Sequence, residues 1–169
     1  AHQSGKRTDF KCHECKCKIE NKIISNVYDR GLSCPRCSDG ISYPEKFMLS
    51  VLEQLDIDYE FQKTFGWAAK KRYDFYFSSE NCIIEIHGKQ HYEESPRGRS
   101  LSEEQENDRL KESLAIENKI NNYIVVDCRH SEMEWIKNSI TKSKLNVLVD
   151  LSKIDWLKCH EATFGTMIK

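Results

Sequence analysis

Two short runs, Arg72-Tyr73-Asp74-Phe75-Tyr76-Phe77 and Cys82-Ile83-Ile84-Glu85-Ile86-His87, decide how this chain folds. Residues 72 to 77 alternate. Tyr73, Phe75 and Phe77 fall on one face, and Arg72, Asp74 and Tyr76 on the other. Residues 82 to 87 alternate too, with Cys82, Ile84 and Ile86 opposed to Ile83, Glu85 and His87. Ser78 to Asn81 is a turn, so the pair reads as an antiparallel hairpin in which Phe77 meets Cys82. That register places Asp74 opposite Glu85 and Arg72 opposite His87, all on one face. Side chains opposed in this way lie about 4.5–5.5 Å apart at Cβ, where like charges destabilise the sheet. A divalent cation between the two carboxylates removes the repulsion and uses both as oxygen ligands. The plainer alternative is that one carboxylate pairs with Arg72 or a lysine.

Outward from the hairpin the pattern is that of an α/β domain over residues 42–150. Ser42-Tyr43-Pro44-Glu45 is a capping box with proline in the first turn, and Phe47, Met48, Val51, Leu52 and Leu55 continue it at helical spacing. Residues 59–65 suggest a strand, followed by a turn with a basic end. After Gly88 come Lys89, Gln90 and His91, leaving the strand beside the Asp74–Glu85 face. Ser102 to Gln105 reads as a second capping box, opening a helix to about Ile120 that carries Asn107 and Asp108 on its early turns. Residues 123–126 are almost wholly apolar, the pattern of a strand covered on both faces. The helix before them implies a crossover and a partly parallel sheet. Ser131 to Glu134 caps a third helix, running to about Leu145. Residues 147–151 suggest a last strand, residues 154–157 pack back on the domain, and residues 159–169 open a further helix within a C-terminal extension, 151–169.

The chain holds eight cysteines, and nothing marks it as secreted. Cys12-x-x-Cys15 and Cys34-x-x-Cys37 match a tetrahedral four-thiolate Zn²⁺ signature over residues 10–40. That segment has few apolar residues to bury, so metal supplies most of its folding energy. His13 and Cys17 are alternative ligands, whereas Cys82 and Cys128 sit in strand patterns as small core hydrophobes. Residues 1–9 read as a disordered start or the remnant of a tag.

The chain has 169 residues and a net charge of −1. Bulk charge therefore does not announce a polyanionic partner, and local clusters must meet one. Two such clusters exist: Lys63 with Lys70, Lys71 and Arg72, and Lys89 with Arg97 and Arg99. No apolar run approaches the length needed to span a bilayer.

The hairpin Tyr73-Asp74-Phe75 with Ile84-Glu85-Ile86-His87-Gly88 resembles the core of the PD-(D/E)XK nuclease superfamily. The strict pattern of that superfamily has lysine where this chain has His87. The residues are more similar to the branch of very-short-patch repair endonucleases and phage-type homing endonucleases with an E-D-x-H-D pattern. In that branch Glu45 supplies the E, Asp74 the first D, His87 or His91 the H, and Asp108 the last D. The Gly88-x-Gln90-His91 run and the upstream ribbon ending in Cys34-Pro-Arg-Cys37 fit the same branch. The likeness covers residues 43 to about 130. Glu45 also serves its own capping box, and Asp108 also lies on a charged helix.

The resemblance implies a restriction-endonuclease-like core, α-β-β-β-α-β-α with a mixed sheet, behind a small zinc ribbon. It implies a metal-dependent endonuclease acting on double-stranded DNA, of the homing or mobile-element kind, in the cytoplasm of a bacterial or phage-infected cell. Asp74 and Glu85 would hold Mg²⁺ or Mn²⁺. His87 or His91 would be the general acid or base, and Gln90 and Lys89 would position the phosphate. A double-strand break would need two chains, hence a possible homodimer. A DNA-recognition segment would follow the C-terminal extension. The competing readings are an inactive nucleic-acid-binding zinc protein with a nuclease-like fold, and a hydrolase acting on nucleotides.

Overall fold

The computed structural model describes residues 5–12, 18–30, 32, 34, 39–95 and 98–164. The chain begins with a two-stranded antiparallel hairpin, β1 (Arg7–Lys11) and β2 (Lys18–Ile23), followed by α1 (Ile24–Arg30). β1 starts inside the stretch expected to be disordered. Its register shifts between Thr8 and Phe10, where Asp9 Oδ1 accepts the Asn21 N–H at 2.8 Å.

The capping box at Ser42 forms as expected and opens α2 (Tyr43–Gln54). Ser42 Oγ accepts from the Glu45 N–H, and Glu45 Oε2 accepts from the Ser42 N–H at 2.7 Å. Then come β3 (Glu60–Thr64), β4 (Arg72–Phe77) and β5 (Cys82–His87) as a meander. α3 (Leu101–Glu117) crosses over to β6 (Asn122–Asp127), and α4 (Met133–Lys142), α5 (Leu145–Leu148) and α6 (Trp156–Phe164) complete the described chain. The sheet runs β3-β4-β5-β6, antiparallel except for the parallel β5–β6 pair. This is a mixed α/β fold with a four-stranded mixed sheet.

One sheet face packs Phe75, Phe77, Cys82, Ile84, Ile86, Ile124 and Val126 against Phe47, Met48, Val51 and Leu52 of α2 and Ile136 and Ile140 of α4. Cys82 and Cys128 are core residues here, as their patterns suggested. The other face holds a smaller cluster of Ala68, Tyr73 and Ile83 packed against Ala115 of α3.

Several expectations are corrected. Tyr73 does not share a face with Phe75 and Phe77, because alternation breaks at Asp74. There Gln62, on the facing strand, has φ 54°, and the Asp74 carboxylate takes the Ile86 N–H that a regular ladder would have used. Paired residues between β4 and β5 accordingly end at Phe75–Ile84, so neither Asp74 with Glu85 nor Arg72 with His87 is a ladder pair, contrary to the expected register. The strand covered on both faces is β5, not β6. β5 is an inner strand, whereas β6 lies at the sheet edge with Val125 40% exposed.

α3 starts at Ser100, not Ser102: Ser100 and Glu103 form the reciprocal box. α4 is capped at Glu132 without a side-chain bond. Residues 147–151 form no strand. Val147 is left in solvent and a helical turn buries Leu145 instead. Leu151, Ile154 and Cys159 belong to the main core, so the described part of the C-terminal extension, 151–164, is part of the same packed unit.

Candidate active site

The break in alternation at Asp74 builds the site. Asp74 Oδ2 accepts the Ile86 N–H at 2.7 Å, which pins the carboxyl across the end of the β4–β5 ladder. Glu85, on the inner strand, is 2% exposed and lies close enough to Asp74 to share a proton with it. Burial raises both carboxyls from their ordinary values. Glu85 is pushed up to about 8, with the Asp74 charge adding to the effect of burial.

The counter-charge is Lys111 of α3. Its Nζ lies 2.7 Å from both oxygens of Glu85, and its direction permits donation to Oε2. Glu85 Oε1 stays without a hydrogen-bond partner among the described residues. A buried carboxyl oxygen that accepts no hydrogen bond costs free energy, even with the Lys111 ammonium nearby. With a second carboxylate beside it, this is a hard oxygen donor set suited to Mg²⁺ or Mn²⁺. Asp74 and Glu85 thus fit the divalent ion expected of them.

A second group of metal-competent side chains is His87, His91 and Asp108. The two imidazoles stack with centroids 4.0 Å apart and planes 12° from parallel. A metal must lie in the plane of each ring that binds it, and one ion cannot lie in two parallel planes. The arrangement instead suits proton handling. His91 Nδ1 lies 2.7 Å from Asp108 Oδ2, and His87 Nδ1 lies 3.7 Å from the same oxygen. Burial, with the neighbouring His91 adding to it, pushes His87 down to about 4 and keeps it neutral.

Both groups border one cleft of about 830 Å³. Of the residues expected to be catalytic, Glu45, Asp74, Glu85, Gln90, His91 and Asp108 line it, while His87 lies behind His91. Gln90 folds over Gly88 so closely that a Cβ there would meet its Oε1 at 2.8 Å.

Among the expected DNA contacts, Lys70, Lys71, Arg72, Lys89 and Arg99 line the cleft. Lys71 Nζ donates to Asn107 Oδ1 at 2.6 Å, Lys89 pairs with Glu93 at 3.1 Å, and Arg99 lies 3.6 Å from Glu104. Two successive left-handed residues, Ala69 at φ 48° and Lys70 at φ 65°, make the turn that carries the first three. Non-glycine residues pay about 1–2 kcal/mol each for that conformation. Lys63 does not join the cleft: it lies on β3, paired with Glu60. Arg97 lies outside the described residues.

Sequence reasoning missed Lys111 and Asn107 as participants. The signal was present. Glu104, Asn107, Asp108, Lys111 and Ala115 recur at helical spacing, so the charged stripe of α3 is the one that faces the sheet.

Of the four expected zinc ligands, Cys12 directly follows β1 and Cys34 is buried. Cys15 and Cys37, like the alternatives His13 and Cys17, lie outside the described residues. No helix among the described residues is long and apolar enough to cross a membrane.

Comparison with protein-family models, with curated proteins and with solved structures finds no match to this chain.

Proposed function

We propose that this chain is a Mg²⁺- or Mn²⁺-dependent endonuclease that hydrolyses phosphodiester bonds in double-stranded DNA, of the PD-(D/E)XK kind in the branch its hairpin resembles. The observation that carries the reading is the buried Glu85 carboxyl beside Asp74, its Oε1 accepting no hydrogen bond among the described residues, in a cleft whose other walls hold an Asp-oriented histidine and a basic turn.

When bound by Asp74 and Glu85, the ion supplies a Lewis acid for the phosphate and lowers the pKa of water. Asp108 fixes the ring of His91 through Nδ1, which leaves Nε2 to take or give a proton at the reacting phosphate. His91 is the better acid–base candidate of the two histidines, because it lines the cleft and His87 does not. His87, held neutral behind it, supports the ring by stacking. Lys70, Lys71 and Arg72 bind the flanking phosphates, and Gln90 and Lys89 orient the one that is cut. Glu45 borders the cleft with its carboxylate engaged in the α2 cap, a role compatible with ordering water. Cys12, Cys15, Cys34 and Cys37 would hold a structural Zn²⁺. One cleft per chain makes a nick, and a double-strand break requires a second chain on the DNA. The reading places the protein in the cytoplasm of a bacterial or phage-infected cell.

The test is cleavage of supercoiled plasmid with Mg²⁺ or Mn²⁺ by the wild type, Asp74→Ala and Glu85→Ala. Nicked or linear product from the wild type alone supports the reading. One observation favours the alternative, an inactive nucleic-acid-binding module: Lys111 already compensates Glu85 without any metal. DNA binding with no product under either metal, and no Mn²⁺ binding, would establish that alternative.

A further inference from the structure

Among the described residues the Glu85–Lys111 pair is the most buried ion pair of the cleft, with side chains 3% and 12% exposed. Such a pair needs further hydrogen bonds to offset the desolvation of both charges. Here that compensation is incomplete. Among the described residues Glu85 Oε1 accepts no hydrogen bond, with only the Lys111 ammonium 2.7 Å from it, and Asp74 adds a second carboxyl to the same space. When both carboxyls are ionised the ammonium offers them one charge, where a divalent cation would offer two.

The backbone beneath Lys111 is fixed. Tyr73 Oη donates to the Lys111 carbonyl at 2.9 Å, and the Nζ lies 5.1 Å above the Tyr73 ring centroid. The four-carbon stem is free to rotate without moving α3, and the residue lines the cleft into which it would turn.

We propose that Lys111 is a built-in counter-ion that occupies the carboxylate pair in the metal-free protein and is displaced from Glu85 into the cleft when a divalent cation binds. The inference rests on the metal site proposed above. It makes the side chain a positioning residue: it holds the two carboxyls together before metal arrives, and metal entry delivers its charge to the phosphate-binding wall beside Lys71. Metal and Lys111 compete for Glu85, so removing the ammonium tightens metal binding. A lysine that merely braced the site would have the opposite effect.

The experiment is titration of the full chain with Mn²⁺ alone, followed by electron paramagnetic resonance. It compares the wild type, Lys111→Met, Lys111→Arg and Asp74→Asn. Methionine keeps the stem over Tyr73 and removes the charge. The expected result is binding on the order of tenfold tighter for Lys111→Met, near wild type for Lys111→Arg, and lost for Asp74→Asn. Unchanged or weaker binding by Lys111→Met, with Asp74→Asn still defective, overturns the inference and leaves the metal site standing. Binding by Lys111→Met where the wild type binds none supports it. No binding by any form overturns both.

Should Lys111→Met fail to fold, the wild type carries the test alone. Mg²⁺ should raise acylation of Lys111 several-fold by mass spectrometry, with the exposed Lys119 unchanged as reference. Equal labelling with and without Mg²⁺ rules displacement out.

Discussion

His91 Nδ1 and Asp108 Oδ2 are 2.7 Å apart, one on the short turn after β5 and the other on the second turn of α3. The contact joins the two elements at the cleft and leaves the ring nitrogen that faces away from the carboxylate for the proposed chemistry. Replacing His91 by glutamine is expected to lower plasmid cleavage by about 10²–10⁴-fold, the range for a lost general acid or base. Asp108→Asn should lower the rate at saturating DNA while leaving DNA affinity near wild type. His87→Asn should cost less than either, because His87 lies behind the cleft wall. Equal losses at His87 and His91 would mean that both rings act on the proton.

Glu85 and His87 titrate in opposite senses and give the metal-free protein a pH signature. Glu85 is raised from 4.5 to about 8, so across that window the folded chain holds a proton the unfolded chain has released, and stability falls as pH rises. Asp74 is raised as well, with the same sign. His87 is lowered from 6.5 to about 4, so between those values the unfolded chain binds the extra proton and stability rises with pH. The effects oppose one another below 6.5, and above it that of Glu85 remains. The Tm of the metal-free protein should therefore drop by a few degrees between pH 6.5 and 8. Glu85→Gln should flatten that drop and Mn²⁺ should reverse it. An unchanged slope in Glu85→Gln would place the titration elsewhere.

Much of this was legible in the sequence. Alternation in residues 72–77 and 82–87, bounded by a short turn, marked both strands to the residue, and Phe77 does pair with Cys82. The carboxylate pair was expected from like charges opposed across the hairpin; the fold brings Asp74 and Glu85 together, but not as a ladder pair. What stayed hidden was non-local. Tyr73 changes face because Asp74 uses its side chain as a strand acceptor, a substitution that period counting does not register. Lys111 reaches Glu85 across 26 positions of sequence, and only the crossover of α3 brings them together. Residues 147–151 have the composition of a strand, but the sheet already ends at β6 and a helical turn buries Leu145 instead.

The start of α3 offers a direct check on that kind of ambiguity. Both Ser100 and Ser102 are followed three residues later by a residue able to complete a capping box. In the fold the reciprocal bonds belong to Ser100 and Glu103, at 3.3 Å for the Glu103 N–H and 2.8 Å for the Ser100 N–H. Ser100→Ala should cost about 1 kcal/mol of stability, and Ser102→Ala no more than a few tenths. Denaturant unfolding of the two variants decides it, and the reverse order would move the helix start.

The N-terminal hairpin buries few large side chains; Ile19 is its buried hydrophobe among the described residues. Its order should then depend on metal, since a structural zinc contributes about 10–16 kcal/mol of folding free energy in small modules. The purified chain is expected to release one zinc ion when its thiolates are titrated with a mercurial. Chelation should accelerate amide exchange in residues 18–30 and leave residues 43–54 protected. A chain that holds no zinc, or whose hairpin stays protected after chelation, would remove the ribbon from the proposal.

The basic turn provides the last prediction. Lys70, Lys71 and Arg72 line one wall of the cleft, where the proposed function has DNA bind, and Lys71 is held in place by Asn107. Contacts to phosphate release counterions, so each lost contact should reduce the slope of log affinity against log salt by about 1. Alanine at Lys70, Lys71 or Arg72 should weaken binding on every duplex sequence alike. Lys63→Ala should leave the slope unchanged, because Lys63 is paired on β3 away from the cleft. Lys89 and Arg99 should have intermediate effects, since each must first give up a carboxylate partner. Equal slopes for Lys63→Ala and Lys71→Ala would mean that DNA does not enter by this wall, and that the carboxylate pair serves a smaller substrate.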